Sequence, residues 1–181
     1  MSERDFEAVG EPRTAWEGRV VSVDEVRFRF VEDGTIVERE VVRHPGAVAT
    51  IPLEDDHVWL VVQPRQAVGE PDMLELPAGK LDVEGESPQA NAQRELGEEV
   101  GKRAERFEHL KSFYTSCGIM DEEIHIYLAT GLSDVSVEAH EDERIEVVAW
   151  PLDRLDDAVA RSTDSKTLIG LLLLKERLAA R

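Results

Sequence analysis

Between Leu74 and Arg103 the chain reads LELPAGKLDVEGESPQANAQRELGEEVGKR. Three of its acids, Glu95, Glu98 and Glu99, fall within roughly 100° of one another if the segment is helical, because an α-helix advances about 100° per residue. Glu95 and Glu99 then form a like-charge pair at i,i+4, which costs an exposed helix about 0.2–0.5 kcal/mol. Something positive must offset it. Arg94 reaches Glu98 at i+4, but one guanidinium does not neutralise three acids, and a divalent cation is the economical partner. Oxygen ligands select Mg2+, with Mn2+ as a second candidate. The spacing alone fits a solvated acidic face equally well, in a chain rich in acid throughout.

The segment that would carry these acids is punctuated as a helix over 88–100. Ser87 is a good N-cap, Pro88 suits the first helical position and Gly101 the C-terminal stop. Ala92, Leu96 and Val100 form an apolar stripe, so the carboxylates sit at the edge of its buried side. Upstream, Pro77-Ala78-Gly79 ends a strand, and Gly79 lets the backbone pass close to a ligand. A loop bearing Glu86 then leads into the helix.

The rest of the chain supplies strands. Gly18 to Val31 and Thr35 to Val42 alternate apolar and charged residues around Asp33-Gly34, the pattern of a hairpin. Residues 1–15 read as irregular and 64–73 as a loop. Ala47–Ile51, Val58–Val62, Leu110–Thr115, Ile124–Ala129 and Ile145–Trp150 are further strand candidates. Pro151 opens a short helix, and Thr167–Ala180 is an amphipathic terminal helix. Strands mixed with a few helices, and no internal repeat, indicate an α/β sandwich around a mixed sheet.

Composition narrows the partners. With 39 acidic and 21 basic side chains among 181 residues, the net charge is -18. No nucleic-acid partner is expected, because phosphates would be repelled and no basic patch is evident. Any anionic substrate needs bound cations. Cys117 is the single cysteine, so no intramolecular disulfide forms and a cytoplasmic location is expected. No secretion signal or membrane span is expected either: the start lacks a basic-then-apolar pattern, and Leu168–Leu174 is short and interrupted by Gly170.

The glycine turn, the first acid and Arg-Glu-Leu-x-Glu-Glu-x-Gly together form a constellation that resembles the Nudix hydrolase family. Gly79, Glu86, Arg94, Glu95, Leu96, Glu98, Glu99 and Gly101 match that family's box. Six residues rather than five separate Gly79 from Glu86, and Lys102 stands where an apolar residue is usual. The similarity runs from HPGAVATIP through LELPAGKLD and YTSCGIMDE to DSKTLIGLLLL. It is greatest to the ADP-ribose pyrophosphatase branch, although Cys117 lies where that branch commonly has proline.

The resemblance implies a Nudix-type α/β/α sandwich over 46–181 and an N-terminal antiparallel β extension over 1–45 that forms a homodimer. It implies a small nucleotide substrate, with ADP-ribose cleaved to AMP and ribose 5-phosphate. The alternatives are another nucleotide sugar, a dinucleotide, a nucleoside triphosphate, or a sensor that binds ADP-ribose without cleaving it. Glu95, Glu99 and the Ala78 carbonyl would hold Mg2+ or Mn2+, and Glu98 would add a direct or water-mediated contact. Glu86 and Arg94 would pin the loop to the helix. Glu122 would be the general base or a further metal ligand, unless it is an ordinary loop acid beside Asp121 and Glu123.

Arg39 and Arg65 are candidates for gripping phosphate, or are strand arginines balancing nearby acids. Glu75 could accept from a base or ribose, or satisfy loop amides. Trp16, Trp59, Trp150 and His125 are expected to pack rather than to act.

Overall fold

Alternating side chains from Ser22 onward give the expected hairpin. The computed structural model describes residues 5–136 and 144–180. The chain divides into two compact units, Met1–Gly46 with Tyr114–Glu123, and Ala47–Phe113 with Ile124–Arg181.

In the first unit the strands are β1 (Phe6–Ala8), β2 (Arg13–Glu17), β3 (Ser22–Phe30) and β4 (Ile36–Arg43). β3 and β4 pair antiparallel from Ser22↔Arg43 to Arg29↔Ile36. Gly34, at φ 73°, makes the reversal that the sequence marks. The expectation that residues 1–15 are irregular fails over 5–15, residues 1–4 lying outside the described part: β1 and β2 both pair with β3. They are short, exposed strands with no apolar period of their own. Their partners hold them, through Arg29–Glu7 at 2.9 Å, an Arg13–Glu25 ion pair and the edge-to-face packing of Phe6 on Phe28.

The second unit contains β5 (Ala47–Glu54), β6 (His57–Arg65), β7 (Glu70–Glu75), β8 (Ala78–Lys80), α1 (Pro88–Val100), β9 (Lys102–Tyr114), β10 (Glu123–Asp134), β11 (Glu146–Pro151), α2 (Leu155–Arg161) and α3 (Ser165–Ala179). The sheet runs β11-β6-β5-β10-β9, with β7 beside β6 and β8 beside β5. β5 and β10 are parallel while β6 is antiparallel to β5 and β11, so the sheet is mixed as expected.

β5 is buried on both faces, which explains its continuous apolar run. Ala47, Ala49, Ile51 and Leu53 pack with Leu155, Ala158, Leu171 and Leu174 of α2 and α3. Val48 and Tyr127 pack with Ala92, and Ala129 with Leu96, both on α1. The period of two in the central strands thus puts α1 on one face and α2 with α3 on the other, an α/β/α sandwich.

The loop expected over 64–73 is also corrected. β6 runs on to Arg65, a 3-10 turn spans Gln66–Val68, and Glu70–Glu75 forms β7 against β6. Glu70, Pro71 and Asp72 hide that strand from an apolar pattern. β9 likewise begins earlier than expected, because its charged exposed residues mask the alternation. No helix among the described residues is long and apolar enough to cross a membrane.

Candidate active site

The turn from β7 into β8 is fastened on three sides. The Leu76 N–H donates to the Thr167 hydroxyl at 2.9 Å, the Pro77 carbonyl accepts from the Thr50 N–H at 2.9 Å, and the Ala78 N–H donates to the Glu99 carboxylate at 3.0 Å. Gly79 is needed for a close approach: a methyl group there would overlap the carboxyl of Glu95. The helix that supplies both acids has the expected caps. Ser87 accepts from the Ala90 N–H, Pro88 opens the helix, and Gly101 closes it in the left-handed conformation at φ 71°.

A single guanidinium organises the acids. Arg94 Nη1 lies 2.8 Å from Glu95 and 2.9 Å from Glu98, while Nε and Nη2 each donate to Glu86 at 3.2 Å. The Glu86 contacts, then the charges of Glu95 and Glu98, hold Arg94 protonated far above its ordinary range. Arg94 in turn, with a hydrogen bond from Asn91, keeps the Glu86 carboxyl below its ordinary value. The expected clasp between loop and helix therefore exists.

Sequence reasoning missed Asn91. Its buried amide donates at 2.8 Å both to Glu86 and to the Lys80 carbonyl, joining the two ends of the loop that carries the extra residue. A polar residue on the buried edge of an amphipathic helix was the available signal. The other departure is also accommodated. Lys102 starts β9 with its ammonium 2.8 Å from Asp134, 3.3 Å from Glu54 and 4.7 Å over the Trp59 ring, so the stem occupies the slot of an apolar residue.

The donors near the turn are hard oxygens, Glu95, Glu98, Glu99 and the Ala78 carbonyl, and they suit Mg2+ or Mn2+ rather than a soft ion. The glycine that admits Glu95 against the Ala78–Gly79 backbone is the feature that fits such an ion best. Among the described residues no group of three or more His, Cys, Asp or Glu side chains stands gathered for a metal. Glu95 and Glu98 turn toward Arg94, and Glu99 toward the Ala78 amide.

Arg65 and Glu75 are together. Glu75 is fully buried, and Arg65 spans both of its oxygens at 2.5 and 2.7 Å. In the first unit, Glu122 accepts from the Thr115 hydroxyl at 2.7 Å and lies 3.5 Å from His44 Nδ1. Arg39 lines an apolar groove of about 460 Å³ with Phe6, Phe28, Phe30 and Tyr114. Cys117 is exposed. Trp59 and Trp150 pack as expected, their indole N–H groups bonded to Glu54 and to the Arg154 carbonyl. His125 is a strand residue bonded to Ser112.

A sandwich with this glycine turn, clasp and carboxylate helix defines a Nudix fold, and the chain belongs to that family: the NUDIX domain model matches residues 43–169. It is a Nudix hydrolase similar to ADP-ribose pyrophosphatases. An ADP-ribose pyrophosphatase of Mycobacterium tuberculosis is 42% identical over 83% of this chain and 72% of its own length. One from Bacillus subtilis is 40% identical over 83% and 87%. A methanol dehydrogenase activator from Bacillus methanolicus is 41% identical over 87% and 86%. The crystal structure of an ADP compounds hydrolase superposes with a TM-score of 0.84 at 26% identity, covering 99% of this chain and 97% of that one.

Proposed function

We propose that this chain hydrolyses the diphosphate of ADP-ribose to AMP and ribose 5-phosphate. The observation that carries the reading is the Ala78–Gly79 turn pressed against Glu95 and bonded to Glu99. It joins the backbone to the acids at a place where a side chain on residue 79 would collide with Glu95. The relatives named ADP-ribose pyrophosphatase support the choice of substrate.

In this reading Glu95, Glu98, Glu99 and the Ala78 carbonyl hold Mg2+, or Mn2+ in its place. Ions held there would screen the diphosphate and lower the pKa of the attacking water. Arg94 screens the acids from one another and, with Glu86, holds the loop on the helix. Gly79 leaves room for the backbone to approach the substrate. Arg65, aligned by Glu75, grips a diphosphate oxygen, and Arg39 grips phosphate or the terminal ribose. Glu122 takes the proton of the attacking water or adds a metal contact, with Thr115 fixing its carboxylate.

Residues 1–45 form a dimerising β extension in this reading, supported by the exposed Phe6, Phe30 and Ile36. Sedimentation equilibrium checks it, and a monomer at micromolar concentration rejects it. A cytoplasmic location is part of the same reading and rests on the lone Cys117.

The deciding experiment is product analysis on ADP-ribose, other nucleotide sugars, dinucleotides and nucleoside triphosphates, with Mg2+ and with Mn2+. AMP with ribose 5-phosphate as the preferred products supports the reading. Faster release from another substrate reassigns the specificity, and binding of ADP-ribose without turnover makes the protein a sensor.

A further inference from the structure

Glu75 is wholly buried, yet cations reach both of its oxygens. Arg65 spans the two from β6, and Lys166 Nζ approaches Oε2 at 2.5 Å from the first turn of α3. Lys166 is only 8% exposed and also lies 3.0 Å from Asp164. Asp164 caps α3 by accepting from the Thr167 N–H at 3.0 Å and the Thr167 hydroxyl at 2.6 Å. That hydroxyl accepts in turn from the Leu76 N–H. The cluster is thus tied to the turn that leads into Ala78.

Counting charge shows what Lys166 adds. Arg65 and Glu75 alone are a neutral pair whose guanidinium has no excess charge to offer an anion. Lys166 brings a second cation to the same carboxylate. Asp164, 3.0 Å from Lys166, is a second carboxylate of the cluster, so two cations face two carboxylates, and without Lys166 the carboxylates would outnumber Arg65. The two-point contact through Nε and Nη2 fixes the guanidinium plane and turns the Nη1 edge away from Glu75. The Arg65 side chain stays 42% exposed. The charges of Glu99 and Asp164 act on it more weakly than Glu75 itself.

We propose that Lys166 is a positioning residue for the substrate: by sharing the buried Glu75 carboxylate it fixes the plane of the Arg65 guanidinium and offsets the carboxylate charge that would otherwise weaken its hold on a diphosphate oxygen. The inference rests on the reading of Arg65 as a diphosphate contact. No patterning in the sequence separates Lys166 from the other lysines of the chain. Its role follows from burial and from the carboxylate it shares.

The test is calorimetric binding of non-hydrolysable α,β-methylene ADP-ribose, with Mg2+, to the full chain and to Lys166→Met, Lys166→Arg, Arg65→Ala and the Arg65→Ala/Lys166→Met double variant. Lys166→Met is expected to raise Kd at least fivefold in the native background and less than twofold beside Arg65→Ala. Lys166→Arg, which restores the charge, is expected to recover most of the affinity. If Lys166→Met does not fold, Lys166→Gln replaces it, with the same expected loss. An equal loss in both backgrounds, or none in the native one, overturns the role of Lys166 while leaving that of Arg65 intact. Native affinity in Arg65→Ala overturns both.

Discussion

The carboxyl of Glu95 occupies the space that a Cβ on residue 79 would need. Gly79 is not in a left-handed conformation, so its requirement is one of space alone. Gly79→Ala is expected to push Glu95 and the β8 backbone apart. Overpacking of this kind costs about 1–3 kcal/mol of stability. A displacement of about 1 Å near reacting groups costs on the order of 100-fold in rate. Steady-state kinetics on ADP-ribose beside a urea titration checks both. A rate within threefold of wild type would show that the contact does not position Glu95.

Arg94 touches three acids, so its loss leaves Glu86, Glu95 and Glu98 facing one another without the guanidinium. Breaking a buried pair typically costs about 3–5 kcal/mol. The Arg94 side chain is 31% exposed, and solvent screening lowers the expected loss in Arg94→Met to about 1–3 kcal/mol. Added Mg2+ is expected to raise the Tm of Arg94→Met more than that of wild type, because a ligand binding only the folded state stabilises it. Differential scanning calorimetry with and without 10-fold steps of Mg2+ measures this. Equal Tm increments in the two proteins would show that Arg94 does not stand in for cationic charge.

Much of this candidate site is legible in the sequence. Ser87, Pro88 and Gly101 bracket α1, and the spacing of Glu95, Glu98 and Glu99 fixes their common edge, because helix periodicity is local. The clasp of Arg94 on Glu86 followed from the same resemblance. Asn91 and Lys166 were not legible, since each acts through a contact distant in sequence or through burial: Lys166 meets Glu75 across 91 positions. The sandwich was legible in the order of apolar strand runs and capped helices, with β5 reading as a continuous apolar run because both of its faces are covered. β1, β2 and β7 were missed because exposed strands held by cross-strand pairs carry no apolar period.

Stability at acid pH is expected to depend on Glu86. Its folded-state carboxyl titrates below the ordinary value because of Arg94 and Asn91. The unfolded chain therefore binds more protons near pH 4, and stability rises with pH there. The contribution is fully present above the unfolded value of about 4.3 and is lost as pH falls through the lower folded value. Glu86→Gln removes that titration. The difference in urea midpoint between wild type and Glu86→Gln should shrink from pH 6 to pH 3. A constant difference would mean that the charge of Glu86 contributes nothing. Asp24 and Glu54, also held low by Arg43 and by Trp59 with Lys102, act in both proteins and cancel in the comparison.

In the proposed reading Glu122 takes the remaining chemical role, and its hydrogen bond from Thr115 allows that role to be separated from simple loop structure. Glu122→Gln keeps the shape and the Thr115 contact but cannot take a proton. General-base catalysis contributes about 100- to 10,000-fold, so kcat with saturating Mg2+ is expected to fall by about that range with KM little changed. Thr115→Val leaves the carboxylate in place without the hydroxyl that orients it. Its kcat should fall less, about 10-fold, which is the cost of losing a charge-assisted hydrogen bond worth about 1.5 kcal/mol. Combining the two substitutions should cost no more than Glu122→Gln alone, since Thr115 acts only through that carboxylate. Turnover near the wild-type rate in Glu122→Gln would remove the residue from the mechanism, and additive losses in the double variant would give Thr115 a separate function.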